Sequence, residues 1–238
     1  MRTVVVSLLA LGLLALAASA SGAADRDEVE RLIAQLKEKD ALPRRQAATA
    51  LAEMAADAKL AVPALTTALT DKDSHVRRAS AKALGNVGSE ARTAIPALAK
   101  AMKDEDKEVV EAAATALGKL GKPAVPTLIE NLKTNDPLLK LHAAKALVTM
   151  GVDAREAVPA LTDAFKSRAS TTTGPNGRRT PNNSLKKAAA EALGNIGPEA
   201  KSALPALKEA LEDRQNQRDR ELRQIIQTAV RKIEKSNS

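Results

Sequence analysis

One sequence pattern occurs six times along the chain and indicates its fold. Its clearest copy reads Asp73-Ser-His-Val76-Arg77, followed by Ala83-Leu84-Gly85, Gly88 and Ile95-Pro96-Ala97-Leu98. In each copy an Asp or Asn is followed ten residues later by Ala-Leu or Ala-Val; the other copies begin at Asp40, Asp106, Asp136, Asn182 and Asp219. A period of about 33 residues with helical spacing is typical of stacked repeats, not of one globular core.

Each repeat is predicted to contain two helices, A and B. In the second repeat, helix A carries Leu65 and Leu69, and helix B carries Val76, Ala83 and Leu84, all at the spacing of one buried helical face. The Asp before helix B has the chemistry of an N-cap, as at Asp40, Asp73, Asp106 and Asp136. A glycine after helix B suits a left-handed C-cap, as at Gly88, Gly121, Gly151 and Gly197, whereas the first repeat has Ala55 there.

A proline recurs near the start of helix A, at Pro63, Pro96, Pro126, Pro159 and Pro205. Most repeats have room for a short extra turn before this proline, and a longer kinked helix is the alternative. The fourth repeat has no such room, so Pro126 is expected in the first turn of its helix.

The pattern therefore predicts an all-α solenoid of about six two-helix repeats over residues 24–238. Their approximate bounds are 26–57, 58–88, 89–121, 122–151, 152–197 and 198–235. The fifth repeat is longer because of an insertion at 168–183, whose Gly, Pro, Thr and Asn content predicts a mobile loop between its two helices.

Residues 1–23 do not belong to the repeats. Arg2 precedes an apolar run from Val4 to Ala18, and small residues suited to cleavage follow. This is the pattern of a signal peptide, and the run is shorter than the about 20 residues that span a bilayer. We expect removal of this segment and a secreted or periplasmic location. The chain has no Cys, so it forms no disulfide.

The repeats resemble HEAT repeats, specifically the short HEAT-like type of phycobilin lyase subunits. The motif that carries the resemblance is Asp-x-x-Val-Arg-x-x-Ala…Ala-Leu-Gly-x-Val-Gly…Ile-Pro-Ala-Leu, seen best in Asp73–Leu98. The resemblance implies a right-handed α–α superhelix whose helices B line the concave side. It also implies a hydrogen-bonded ladder between repeats, assigned to Asp40/Arg44, Asp73/Arg77, Asp136/Lys140 and Asp219/Arg223. Val110 interrupts that ladder, and Asn182/Lys186 weakens it.

Composition argues against several kinds of active site. Phe165 is the only aromatic residue, so rings for stacking on bases, sugars or flat cofactors are lacking. His75 and His142 occupy different repeat positions and do not form a ligand set for a metal. No Ser lies in a nucleophile elbow, and the glycines follow helices and not strands. We therefore expect no enzyme activity, no cofactor and no metal.

A basic ridge along helix B is the candidate contact surface. The net charge is +8, or about +7 without the signal peptide, which favours an acidic partner. The predicted contact residues are Arg45, Arg78, Lys82, Lys145 and Lys187. Several of these bases form neighbouring pairs in helix B, such as Arg44-Arg45 and Arg77-Arg78. The alternative is that the first base of each pair is bonded within the ladder and the second is merely solvated. Glu111, beside Val110, interrupts the ridge and supports this alternative.

These features predict an exported, non-catalytic scaffold that presents a curved helical surface to a partner protein. One alternative is an accessory lyase or chaperone-like subunit that handles a tetrapyrrole, as the resemblance suggests. The other is binding of envelope polyanions, which requires only positive charge. Base-specific nucleic-acid binding is not expected, because the chain lacks stacking residues.

Overall fold

The computed structural model describes residues 26–167, 170–173 and 179–235. The signal peptide predicted for residues 1–23 lies outside the described residues. Within them the chain forms six successive pairs of helices, in agreement with the predicted all-α solenoid. None of the helices in these ranges combines the length and apolar character needed to cross a membrane.

The two helices of each repeat alternate along the chain. The A helices are α1 (26–35), α3 (Val62–Ala68), α5 (Ile95–Ala101), α7 (Val125–Lys133), α9 (Val158–Lys166) and α11 (Leu204–Glu212). The B helices are α2 (Ala41–Met54), α4 (Ser74–Val87), α6 (Lys107–Leu120), α8 (Pro137–Val148), α10 (Ser184–Ile196) and α13 (Arg220–Glu234). A short helix, α12 (Arg214–Gln217), lies between α11 and α13.

A 3-10 segment precedes five of the A helices, as the predicted extra turn requires. These segments are Ala55–Ala61, Gly88–Ala94, Lys122–Ala124, Gly151–Ala157 and Gly197–Ala203. Each proline of the column is the second residue of the α-helix that follows, where its missing N–H has no intrahelical acceptor. The fourth repeat was expected to have no room for such a turn, but it has a 3-10 segment of three residues; Pro126 lies in the first turn of α7, as expected.

The core is one seam of aliphatic side chains that runs through all repeats. The helix-A positions equivalent to Leu65 and Leu69 are buried except for Leu211, which is half-buried, and the Leu column of helix B is buried as well. The members of these columns that are 0% exposed are Leu51, Leu65, Leu84, Leu98, Leu117, Leu128, Leu147, Leu161, Leu193 and Leu207. Burial of such side chains contributes about 1.5–3 kcal/mol each and is the main term that orders the solenoid.

Helix ends largely follow the predicted chemistry. The carboxylates of Asp73, Asp106 and Asp136 accept backbone N–H groups at the starts of α4, α6 and α8. Asp40 occupies the same position before α2, but its side chain makes no capping hydrogen bond. All four predicted C-cap glycines have positive φ angles, between 55° and 74°. Ala55 has a φ of 50° and a ψ of −120°, so the first repeat adopts the same reversal without glycine.

The insertion in the fifth repeat contains a β-hairpin where a loop was predicted. Strands β1 (Ser170–Thr173) and β2 (Arg179–Asn182) pair antiparallel, with Ser170 opposite Asn182 and Thr173 opposite Arg179. The first strand is rich in Thr, which has high β-propensity. The loop prediction rested on the Gly, Pro and Asn residues of the insertion and gave this propensity too little weight. Helix α10 then begins after Asn183.

Candidate binding surface

Three of the five predicted contact residues are ion-paired to the next repeat. Arg45 donates from Nε to Asp73 Oδ1 at 2.9 Å and makes a second bond to the other carboxylate oxygen. Arg78 pairs with Glu108, in the first turn of α6. The Lys187 ammonium lies 3.2 Å from Asp219 and 2.5 Å from Glu221, at the start of α13. These bases hold adjacent B helices together.

The other two predicted contact residues have free ammonium groups. Lys82 on α4 and Lys145 on α8 are exposed, and neither makes an ion pair within residues 26–167, 170–173 and 179–235. Lys82 lies one helical turn beyond Arg78, so it continues the same face of helix B. The predicted ridge therefore divides into bases that join repeats and bases that face solvent without an acidic partner.

The ladder implied by the resemblance is present at the first two interfaces but with other partners. Arg44 donates to both carboxylate oxygens of Asp71 at 2.7 and 2.9 Å, and Arg77 donates likewise to Asp104 at 2.8 and 2.7 Å. Asp40 was assigned to Arg44, but the acceptor lies two residues before the N-cap of the following repeat. The recurring Asp-x-Asp at 71–73 and 104–106 was the sequence signal for this arrangement.

The same arginines also hold the A–B loop of their own repeat. Arg44 donates to the carbonyls of Glu38 and Lys39, and Arg77 donates to the carbonyl of Asp71. Both guanidinium groups are nearly buried, since Arg44 is 5% exposed and Arg77 is 8% exposed. Such multiply bonded arginines fix one loop relative to the next.

These hydrogen bonds keep the bridging carboxylates ionised. The bond from Arg45 lowers the pKa of Asp73 to about 2, and the amides of Val76 and His75 add to the effect. Burial raises the pKa of Asp71, but the bonds from Arg44 and the Asp73 amide outweigh it, so the net shift is downward. The charges that join the repeats therefore persist at neutral pH.

The ladder is interrupted at the interface between the third and fourth repeats. Val110 replaces the arginine and is buried, and it lines a cavity of about 400 Å³ with Met102, Leu138 and Leu139. Lys140, which was assigned to the ladder, makes no ion pair with any described residue. The acceptor is missing as well, because Thr134 stands where Asp71 and Asp104 stand in their repeats.

A cleft opens next to this interruption, between the first turns of α8 and α10; we call it the α8–α10 cleft. Its apolar lining is formed by Pro137, Leu138, Leu141 and Leu185, and its volume is about 360 Å³. Lys140 and Lys186 also line it, and Asn182 at the base of the hairpin forms one wall. Sequence reasoning missed this site, although Leu141 in the row that holds Arg45 and Arg78 was a signal for it.

The positions of the potential metal ligands, of Ser80 and of Phe165 bear on metal binding, serine chemistry and ring stacking. The described residues contain no group of three or more His, Asp or Glu side chains placed to hold a metal ion. Ser80 is fully buried among the packed helices and its hydroxyl has no hydrogen-bond partner, as expected for a small packing residue. Phe165, the one aromatic residue, is 2% exposed and belongs to the core.

Comparison with known families agrees with this geometry. Residues 29–110 and 95–173, which together exceed half of the chain, match the family described as HEAT repeats. The chain belongs to the HEAT-repeat family. Residues 185–213 of this HEAT-repeat protein also match the PBS lyase HEAT-like repeat. No curated protein shows significant similarity to the sequence.

Solved structures with the same architecture include both engineered and natural proteins. An engineered protein is 27% identical with a TM-score of 0.54, covering 86% of this chain and 96% of its own. The CpcE–CpcF complex of phycocyanin lyase from Nostoc sp. PCC7120 is 27% identical with a TM-score of 0.52, covering 83% and 74%. A designed armadillo repeat protein in complex with the peptide (KR)4 is 17% identical with a TM-score of 0.54, covering 85% and 98%, and shows the fold alone.

Proposed function

We propose that this HEAT-repeat protein is a non-catalytic scaffold that binds a partner protein on the exposed face of its B helices. The observation that carries the proposal is the pair of free lysines, Lys82 and Lys145, on a surface that stacked repeats hold in fixed positions. Preformed surfaces bind with a small ordering cost, because the side-chain positions are set before the partner arrives.

Charge supports an acidic partner. The bases that join repeats are paired with acids of the same chain, whereas Lys82 and Lys145 are exposed and make no ion pair with any described residue. The sequence pattern of residues 1–23 supports export, so the partner is expected among secreted or envelope proteins.

The test is affinity capture from a native envelope fraction with the chain lacking residues 1–23, followed by quantitative mass spectrometry. The Lys82→Glu/Lys145→Glu variant is expected to lose the enriched protein. The matched control is Lys122→Glu/Lys201→Glu, which changes the net charge equally at two exposed lysines of the 3-10 segments. Equal capture by both variants, or no protein enriched by the unmodified chain, would contradict the proposal.

A second candidate is a lyase-related role with a tetrapyrrole. The match of residues 185–213 to the PBS lyase HEAT-like repeat and the likeness to the CpcE–CpcF complex favour it. Against it, the single aromatic side chain is buried and unable to stack on a pigment. Incubation with a bilin or haem tests this role, since binding shifts the pigment's visible absorbance and an unchanged spectrum contradicts it.

A further inference from the structure

The α8–α10 cleft combines apolar and cationic groups in one place. Leu138 is 44% exposed, and Leu141 and Leu185 are half-buried, so aliphatic surface remains open to solvent there. A volume of about 360 Å³ is at the low end of the roughly 300–1,000 Å³ of ligand pockets. The cleft therefore suits one or two inserted side chains better than a large cofactor.

The lysines of the cleft differ from the bases at the first two repeat interfaces. Arg44, Arg45, Arg77 and Arg78 are each paired with an acid of the next repeat. Lys140 and Lys186 occupy the positions of Arg44 and Arg77 in their own repeats, yet neither has an ion-pair partner in the described part of the chain. Two lysines without an ion pair thus flank an apolar surface, and Lys140 also lines a neighbouring cavity with Glu156 and Asp163.

The sequence that leads from α9 into α10 is rich in basic residues. No acidic residue occurs between Asp163 and Glu191, whereas this stretch holds Lys166, Arg168, Arg178, Arg179, Lys186 and Lys187. Lys187 is paired with α13, so it does not neutralise the cleft. A ligand with negative charge would complement this region, because like charges concentrated without acids attract counter-charges.

The start of α10 differs from the starts of most other B helices. Helices α4, α6, α8 and α13 begin at an Asp whose carboxylate accepts a backbone N–H. Helix α10 begins at the neutral Asn183, whose side chain makes no cap and instead donates to Asp219. The carboxylate beside this helix end is therefore that of Asp219 in the next repeat, and it offsets part of the positive charge of the helix dipole.

We propose that the α8–α10 cleft binds an acidic peptide segment of a partner protein, with an aliphatic side chain of the peptide between Leu138, Leu141 and Leu185. Peptide carboxylates pair with Lys140 and Lys186. A nucleic acid or other polyanion would use the lysines but leave the apolar surface uncovered. The inference rests on the proposed scaffold function and adds to it a second contact, at the α8–α10 cleft, beside the one proposed at Lys82 and Lys145.

The experiment measures fluorescence anisotropy of short dye-labelled peptides with the full chain lacking residues 1–23. The probe alternates Asp and Leu; one comparison peptide has Lys for each Asp, and another has Ser for each Leu. The unmodified chain is expected to bind the Asp–Leu probe and neither comparison peptide. Binding of the Asp–Ser peptide with equal affinity would overturn the apolar part of the proposal.

Variants of the chain locate the site. Lys140→Glu/Lys186→Glu is expected to weaken binding about tenfold or more, and Leu138→Ser about fivefold. The matched control is again Lys122→Glu/Lys201→Glu, because these lysines lie beyond the opposite ends of the B helices, about 20 Å away for a helix of this length. Circular dichroism and thermal melting confirm that each variant is folded.

Each outcome separates this proposal from the scaffold function. Loss of probe binding in the control, or in Lys82→Glu/Lys145→Glu but not in the cleft variants, would place the peptide elsewhere and overturn the proposal. Tighter binding of heparin or an oligothymidine, unaffected by Leu138→Ser, would replace the peptide with a polyanion. If the probe does not bind but the envelope capture still yields a protein, the cleft proposal fails and the scaffold function stands.

Discussion

Arg77 of the second repeat forms a two-bond ion pair with Asp104 of the third, with Nε and a terminal nitrogen 2.8 and 2.7 Å from the two carboxylate oxygens. Asp104 also accepts the amide N–H of Asp106, the residue that caps the next B helix. The pair therefore connects helix B of one repeat with the loop that starts helix B of the next. Both side chains are almost buried, so their charges depend on each other.

Replacing Arg77 by Met is expected to destabilise the chain by about 3 kcal/mol, because it leaves the Asp104 carboxylate buried without its partner. The measurement is urea-induced unfolding followed by far-ultraviolet circular dichroism. Arg92→Met is the control, since Arg92 is exposed in a 3-10 segment and should change stability by less than about 0.5 kcal/mol. Equal effects of the two substitutions would mean that the pair does not stabilise the interface.

Asp73 makes the free energy of unfolding decrease as the pH falls through the acidic range. Its pKa is lowered to about 2 in the folded chain, chiefly by the Arg45 hydrogen bond, from about 3.9 in an unfolded chain. Its contribution, of order 2 kcal/mol, is fully present above the unfolded pKa and is lost as pH falls toward the folded pKa. The difference in unfolding free energy between the unmodified chain and Asp73→Asn should therefore shrink between about pH 4 and pH 2. A difference that stays constant over this window would contradict the assignment.

Gly85 allows α4 and α6 to approach closely. A Cβ atom at this position would lie 2.8 Å from the Cα and 3.0 Å from the Cβ of Ala116. Gly85→Ala should destabilise the chain by about 2 kcal/mol, although alanine is the better helix former by about 1 kcal/mol. Thermal unfolding measures the effect, with Lys82→Ala on the exposed face of α4 as a near-neutral control. Stabilisation by Gly85→Ala would show that helix propensity outweighs the steric contact.

Ala55 is a position where glycine should be more stable than alanine, the reverse of Gly85. It is the one described non-glycine residue with a positive φ, at a position where four other repeats have glycine. Ala55→Gly should stabilise the chain by about 1 kcal/mol, because glycine adopts this conformation without the clash of a Cβ. Ala56→Gly, at the next residue of the same 3-10 segment, should instead destabilise the chain, since glycine there only adds freedom to the unfolded chain. Chemical denaturation of both variants gives the sign, and a loss of stability in Ala55→Gly would refute the strain.

Local sequence signals predicted the helices of this chain but not its ion pairs. The periodic Leu column, the prolines and the Asp and Gly helix signals are local, so they predicted the paired helices, the turns before helix A and the repeat family. The Thr-rich strand β1 was predicted as a loop, because Gly, Pro and Asn residues follow it in the same insertion. Lys82 and Arg78 are equally basic in the sequence, and only the structure shows that Arg78 has a partner in Glu108 while Lys82 has none.

The repeat pattern alone is enough to predict a solenoid of HEAT repeats, because burying an aliphatic face at helical spacing, with a stop signal after each helix, leaves few other arrangements. Which charges remain available to a partner depends instead on how the repeats pack. Ion pairing depends on distances of a few ångströms between residues about 27 positions apart, and these distances arise when one repeat packs on the next. The same packing brought the starts of α8 and α10 together and so formed the α8–α10 cleft.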